Sequence, residues 1–346
     1  MPKNKLLEEK EELKEALYYR KLKNELVRCN LCPRFCVIKN GSRGNCGVRE
    51  NLNGKLYSMV YGKPCNIALD PIEKKPFYNF LPSSKSLSIA TVGCNLHCAH
   101  CQNWEISQAK IEDVPYIAAS PLQIVQQAKL KQAQSISYTY TEPTIFYEYM
   151  LDIAKIAKKE KLRNNIVSNG FINPLPLKKL CAFIDAANID LKGNSLFYEK
   201  ICQGKIEPVL ETIKLLHQKK VWVEITNLIV PGYNDNVEDI KKMVSWIQEN
   251  LGNDVPLHFS AFYPCYKLMN VKPTPPEFLV KARMIAKSMG LNYVYTGNIA
   301  DVEGSTTFCP KCGAKLITRQ GFFVAENKII GGKCPFCKEK IAGVWE

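Results

Sequence analysis

The chain has 346 residues, 46% of them hydrophobic, which suits a large buried core with additions and is too long for one small domain. It shows no apolar run of membrane-spanning length and no signal-peptide pattern at its lysine- and glutamate-rich start, so a soluble, cytoplasmic protein without a membrane partner is expected. Forty-seven basic against 33 acidic residues give a formal net charge of +14, which admits an acidic or nucleic-acid partner without requiring one, and the 15 cysteines point to metal coordination because disulfides are rare in the cytosol.

In chain order, residues 3–27 predict an amphipathic helix, with Leu6, Leu13, Ala16, Leu17 and Leu22 near a helical period. Residues 28–80 are punctuated by glycine, asparagine and proline around Cys29, Cys32, Cys36 and Cys46, as in a small metal-stapled module. Their spacing, Cys-x2-Cys-x3-Cys-x9-Cys, leaves zinc and a second [4Fe-4S] cluster equally open, with free structural cysteines as the remaining reading. A zinc there would staple the fold, whereas a four-cysteine cluster could relay electrons. From 86 to 297, β-rich runs (86–92, 135–140, 164–169, 186–191, 221–229, 256–262 and 292–297) alternate with helical stretches near 121–133, 144–161, 175–184, 208–219, 236–250 and 275–289. That alternation predicts an α/β fold with parallel strands, a partial (β/α)6 TIM-like barrel, whose strands read as apolar on both faces. An open doubly wound sheet is the alternative, disfavoured because no GxGxxG follows the first run. The tail carries Cys309-x2-Cys312 and Cys334-x2-Cys337, the spacing of a zinc ribbon, although a rubredoxin-like iron site would use the same ligands. The expected organisation is a helix and cysteine-rich module over 1–85, a barrel over 86–300 and a ribbon-like tail over 301–346.

The central motif is TVGCNLHCAHCQNWEIS (91–107), in which Cys94, Cys98 and Cys101 follow the first strand directly, where barrel active sites are built. Three thiolates hold three irons of a [4Fe-4S] cubane and leave the fourth without a protein ligand, whereas four would close the cluster. An open iron can chelate the amino and carboxylate groups of S-adenosylmethionine (SAM), and an electron from the cluster then cleaves the sulfonium bond to give a hydrogen-abstracting 5′-deoxyadenosyl radical. A zinc site short of one ligand and a structural cluster are the blander readings.

With RCNLCPRFC (28–36), GNCGVRE (44–50), DPIEKKPFYNFLP (70–82), GCNLHCAHCQNWEIS (93–107), YTYTEPT (138–144), CPKCG (309–313) and the closing GVW (343–345), the chain resembles the radical SAM superfamily. Within it the chain is similar to enzymes related to pyruvate formate-lyase activating enzyme, in the AmmeMemoRadiSam system branch. The resemblance implies that Tyr140-Thr141-Glu142-Pro143 binds the SAM amino group, chiefly through the Glu142 carboxylate. It also implies that Ser168, Asn169, Asp190 and Lys192, at successive strand ends, serve the ribose and carboxylate. Val230 would lie against adenine, and His100 beside the cluster. The loop after the sixth strand, Phe262 to Lys267, should face substrate, and it carries Tyr263 where activating enzymes tend to have histidine. Cys265 reads as a free thiol rather than a radical relay, and His217 and His258 do not look catalytic.

The expected function is therefore radical SAM chemistry on an unidentified substrate, with an external electron donor such as a ferredoxin or flavodoxin. Activation of a glycyl-radical enzyme, a protein substrate, is one version, although here the additional cysteines flank the barrel instead of following the central motif. Radical modification of RNA or another macromolecule is the alternative, and a non-catalytic iron-sulfur electron carrier is a second.

Overall fold

The computed structural model describes residues 13–346. Its centre is an eight-stranded sheet of β1 (Asn66–Pro71), β2 (Lys85–Ala90), β3 (Ser135–Tyr138), β4 (Arg163–Ser168), β5 (Ala186–Asp190), β6 (Trp222–Ile229), β7 (Leu257–Ala261) and β8 (Val294–Gly297), hydrogen-bonded in sequence order. Strands β2 to β8 pair in parallel, and β1 closes one edge antiparallel to β2, with Asn66 opposite Ala90. Six helices cross between parallel strands: α1 (Pro121–Leu130), α2 (Tyr147–Lys159), α3 (Pro174–Leu180), α4 (Glu207–Gln218), α5 (Val237–Leu251) and α6 (Pro276–Ser288). Right-handed crossovers that never reverse strand order put all the helices on one face, so the sheet curls into a partial barrel, whereas a doubly wound sheet needs a reversal point. The expected seven strands and six helices are all present, with ends that differ from expectation by up to four residues.

The inner face departs from the expectation of strands apolar on both sides. Ser86, Ser88, Ser135, Ser137, Asn165, Asn188 and Thr226 are buried, and they bond across strands: Ser137 Oγ donates to Asn165 Oδ1 (2.7 Å) and Thr226 Oγ1 to Asn188 Oδ1 (2.8 Å). The segment Pro76–Asn79 fills one side of this interior. Glu224 accepts the backbone N–H groups of Tyr78 (3.0 Å) and Asn79 (2.9 Å) and touches His258 Nε2 (2.6 Å), while Asn188 donates to the Pro76 carbonyl (2.8 Å). Buried polar groups must be paired, and this segment supplies the partners that a purely apolar barrel would not need.

The helix expected over 3–27 is not formed in its described part, and Leu6 lies outside the described residues. Lys14–Glu15 and Tyr19–Lys21 are short strands instead, separated by Tyr18 in the left-handed region (φ 56°). Long-range pairing overrides the local period: Ala16 N–H donates to the Leu56 carbonyl (2.7 Å), Lys14 lies opposite Ser58, and Tyr19 opposite Cys29. Two small three-stranded antiparallel sheets build this N-terminal module. It is fastened to the barrel by Arg49, whose guanidinium meets both oxygens of Glu148 on α2 (3.0 and 2.9 Å), with Arg49 and Glu148 side chains 2% and 1% exposed. The tail forms a third small sheet, Thr307–Phe308, Lys315–Gln320 and Phe323–Asn327, whose Leu316, Ile317 and Ile341 share one apolar cluster with Tyr78, Tyr293 and Tyr295. Among the described residues no helix is long and apolar enough to cross a membrane.

Candidate active site

The carboxyl ends of the parallel strands open into a cavity of about 970 Å³. Cys94, Cys98, His100, Cys101, Tyr140, Glu142, Ser168, Asn169, Asp190 and Lys192 all line it. These residues come from four strand ends and are brought together because parallel strands end on the same side. Val230 is the exception: it is fully buried away from the cavity, and its N–H is donated to Asn234 Oδ1 (2.6 Å).

The cysteine loop leaves β2 through Gly93, whose φ of +103° and whose position forbid a side chain, since a Cβ there would lie 2.7 Å from the Cys46 carbonyl oxygen. The loop is then held by main chain, with His97 N–H donating to the Cys202 carbonyl (3.1 Å) and Ala99 N–H to the Ile201 carbonyl (2.8 Å). Donors surround the thiols. Leu96 N–H (3.4 Å) and Asn169 Nδ2 (3.7 Å) point at Cys94 Sγ, and Cys101 Sγ lies 3.2 Å from Ser107 Oγ. Burial pushes Cys94 up, with the Glu142 charge adding to it, while a hydrogen bond with Cys202 and the Lys192 cation pull Cys98 below the ordinary thiol value. Burial drives His100 down to about 3, helped by Lys192, so its ring stays neutral; its Nδ1 is buried without a hydrogen-bond partner among the described residues.

Two cysteines that look scattered in the sequence belong to this neighbourhood. The ligand atoms of Cys98, His100 and Cys202 lie within 4.8 Å of one another, and Cys265 Sγ contacts the His100 carbonyl at 3.2 Å. No local signal marks either one, because each arrives on a different crossover loop.

Opposite the cysteines, the Glu142 carboxylate is 2% exposed and accepts Thr144 N–H (2.9 Å), Ser168 Oγ (2.8 Å) and Asn169 N–H (2.8 Å). Tyr140 just before it holds a left-handed backbone (φ 65°), its carbonyl accepts from Asn103 Nδ2 (2.8 Å) and its hydroxyl donates to Asp70. Such strain persists where surrounding contacts over-determine the conformation. Lys192 Nζ and Asp190 Oδ2 form an ion pair at 2.6 Å. Burial alone would lower Lys192, but Asp190, Cys98 and Cys202 outweigh it and hold the ammonium protonated. Tyr263, 49% exposed, donates to the Asn298 carbonyl (2.9 Å) at the rim, and Gln320, Gly321 and Phe322 at the tip of the tail hairpin border the same cavity. His258 lines the cavity too, locked onto Glu224, and His217 lies on α4.

Comparison with known proteins decides the family. Residues 88–247 match the family described as the Radical SAM superfamily. The chain belongs to the radical SAM superfamily. Uncharacterized protein MJ0808 of Methanocaldococcus jannaschii is 49% identical over 334 residues, covering 95% of this chain and 99% of its own. Pyruvate formate-lyase 1-activating enzyme of Escherichia coli (strain K12) is 23% identical over 218 residues, 57% of this chain and 87% of its own. A solved domain of pyruvate-formate lyase-activating enzyme from Bacteroides vulgatus ATCC 8482 superposes with a TM-score of 0.43 at 16% identity, covering 47% of this radical SAM chain and 99% of that domain. As a radical SAM protein with activating-enzyme relatives, the chain is an enzyme, and its family implies a [4Fe-4S] cluster and SAM.

Proposed function

We propose that Cys94, Cys98 and Cys101 hold a [4Fe-4S] cluster with one open iron, and that the enzyme uses it to generate a hydrogen-abstracting radical from SAM. The observation that carries this reading is the convergence of three thiols and a buried carboxylate, ammonium and amide on one cavity. The donor set suits both groups: three sulfurs for three irons, and acidic and basic side chains for a zwitterionic methionine moiety. When bound, the cluster supplies the electron that cleaves the sulfonium. The residues do the positioning. Glu142 presents a carboxylate to the amino group, while Lys192, paired with Asp190, presents a cation to the carboxylate. Asn169 bridges Glu142 and the cysteine loop, through its N–H to Glu142 and its amide to Asn95 Oδ1 (3.0 Å).

The rest of the cavity, rimmed by Tyr263, Asn298 and the hairpin tip at Phe322, is read as the substrate end. Likeness to activating enzymes supports hydrogen abstraction from a partner protein as one form of the activity. Zinc is proposed for the tail: Cys309 and Cys337 sulfurs lie 3.5 Å apart, Cys312 and Cys334 sulfurs 3.7 Å apart. A tetrahedral Zn–S bond of about 2.3 Å puts sulfurs about 3.8 Å apart. An external ferredoxin or flavodoxin would supply electrons, in a reducing cytoplasm that suits 15 free cysteines.

The test is anaerobic reconstitution followed by SAM and dithionite, with 5′-deoxyadenosine as the readout. Product from the wild type and none from a variant with Cys94, Cys98 and Cys101 all changed to Ala is expected. Absence of product from well-loaded wild type overturns the reading. Deuterium transfer from labelled candidates into 5′-deoxyadenosine then identifies the substrate.

A further inference from the structure

We infer that Cys29, Cys32, Cys36 and Cys46 ligate a second, four-cysteine [4Fe-4S] cluster, not zinc, and that it passes electrons to the cluster site at Cys94–Cys101; the electron-passing part rests on the function proposed above.

The molecule supplies its own ruler. The four tail sulfurs all fall within 4.8 Å of one another, the close gathering that a single tetrahedral ion demands. Among the described residues, no three of the four N-terminal sulfurs gather within 4.8 Å, and neither do those of Cys94, Cys98 and Cys101. In a cubane each thiolate binds a different iron, so the sulfurs stand farther apart than around one ion. Among the described residues, the N-terminal group, like the central motif, lacks the close gathering of the ribbon.

These thiols nonetheless lie near one another. Cys32 lies within electrostatic reach of Cys29, Cys46 and Cys36, and Cys46 within reach of Cys29 and Cys36. Asn45 N–H donates to Cys36 Sγ at 3.4 Å. A donor aimed at sulfur favours the thiolate that metal ligation requires. The buried Arg49 cation, close to Cys29 and Cys46, offsets part of the negative charge that four thiolates bring.

The position suits transfer. The Cys46 carbonyl packs on Gly93, the residue before Cys94; Asn45 Oδ1 meets His97 Nε2 (3.0 Å), the residue before Cys98; and Arg34 Nε donates to the Asn95 carbonyl (2.9 Å). Cys32, Cys36 and Cys46 are partly exposed, so the group lies between solvent and the central loop. One electron leaves a low-potential donor protein of ferredoxin or flavodoxin class, reduces the N-terminal cluster by one unit and moves on to the central cluster, returning the first to its oxidised state. No bond forms or breaks, and no proton moves.

The experiment is metal, sulfide and EPR analysis of the full chain purified and reconstituted anaerobically. Wild type is expected to hold about eight irons, about eight sulfides and about one zinc per chain. The variant with Cys94, Cys98 and Cys101 all changed to Ala should keep about four irons and a reduced-cluster EPR signal that SAM does not move. About four irons with about two zincs in wild type, or an iron-free triple variant, overturns the second cluster. The Cys32→Ser/Cys36→Ser variant tests the transfer. It should lose about half its iron, keep a SAM-sensitive EPR signal and keep 5′-deoxyadenosine formation with dithionite, but fall to background with a reduced ferredoxin. Wild-type rates from that variant with ferredoxin overturn the relay. If the variant does not fold, as judged by far-UV circular dichroism, the triple variant's iron content still decides the cluster, and reduction of that iron by ferredoxin, or its failure, decides electron entry. Iron retained in the triple variant while wild type yields no 5′-deoxyadenosine with dithionite would leave the second cluster standing and overturn the proposed function instead.

Discussion

Replacing Glu142 by Gln probes the proposed SAM pocket most directly. An ionised carboxylate offers about four acceptor positions. Oε1 uses its two on Thr144 N–H and Ser168 Oγ, and Oε2 uses one on Asn169 N–H, so one position on Oε2 is left for an ammonium donor. A charge-assisted hydrogen bond of this kind is worth about 1.5–3 kcal/mol, which raises the SAM Kd roughly 10- to 150-fold when lost. The Gln amide nitrogen must also face at least one of the three donors, and a buried unsatisfied donor costs about 1–3 kcal/mol of stability. Binding and folding should therefore both suffer, with cluster loading intact because Glu142 is not a ligand. Anaerobic calorimetric titration of SAM into reconstituted protein measures the first effect, and iron content with circular dichroism checks the rest. A Kd within about threefold of wild type, at full iron content, would refute the assignment of Glu142 to the amino group.

Among the described residues, changing Arg49 to Met leaves the Glu148 carboxylate, 1% exposed, with only the Leu17 N–H (2.7 Å) and should cost about 3–5 kcal/mol in urea unfolding of the apoprotein; Arg49→Met/Glu148→Leu should recover most of it, and a double variant as unstable as the single one contradicts this. Burial pushes Lys75 down to about 8 from 10.5 despite its Asp70 partner at 2.7 Å, so the unfolded chain binds more protons between those values. Stability should then gain from Lys75 as pH rises through that window, a gain that Lys75→Met removes and that urea midpoints at the two ends would reveal; identical slopes for both proteins would count against it. Cys309→Ala should release about one zinc per chain, measured by mass spectrometry of bound metals, with iron unchanged; retained zinc would place the ion elsewhere.

Much of this enzyme is legible along the chain because its determinants are local. The alternation of apolar β-rich runs with helical stretches prescribes parallel strands, and parallel strands prescribe a common carboxyl end where Cys94, Glu142, Asn169 and Lys192 meet. Candidate ligand sets, cysteines separated by two or three residues, are likewise visible in the sequence. Tertiary structure decided what depends on distant partners. Lys14 to Lys21 form strands and not a helix because Leu56, Ser58 and Cys29 offer them backbone partners. Cys202 and Cys265 reach the cysteine loop across the barrel mouth, and Val230 spends its N–H on Asn234 away from the cavity. The polar barrel interior has the same origin: serine and asparagine are tolerable inside only because Pro76–Asn79 and the facing strands complete their hydrogen bonds. Spacing along the chain names the candidate ligands of each cysteine group, but the distances among their sulfurs exist only once the chain has folded.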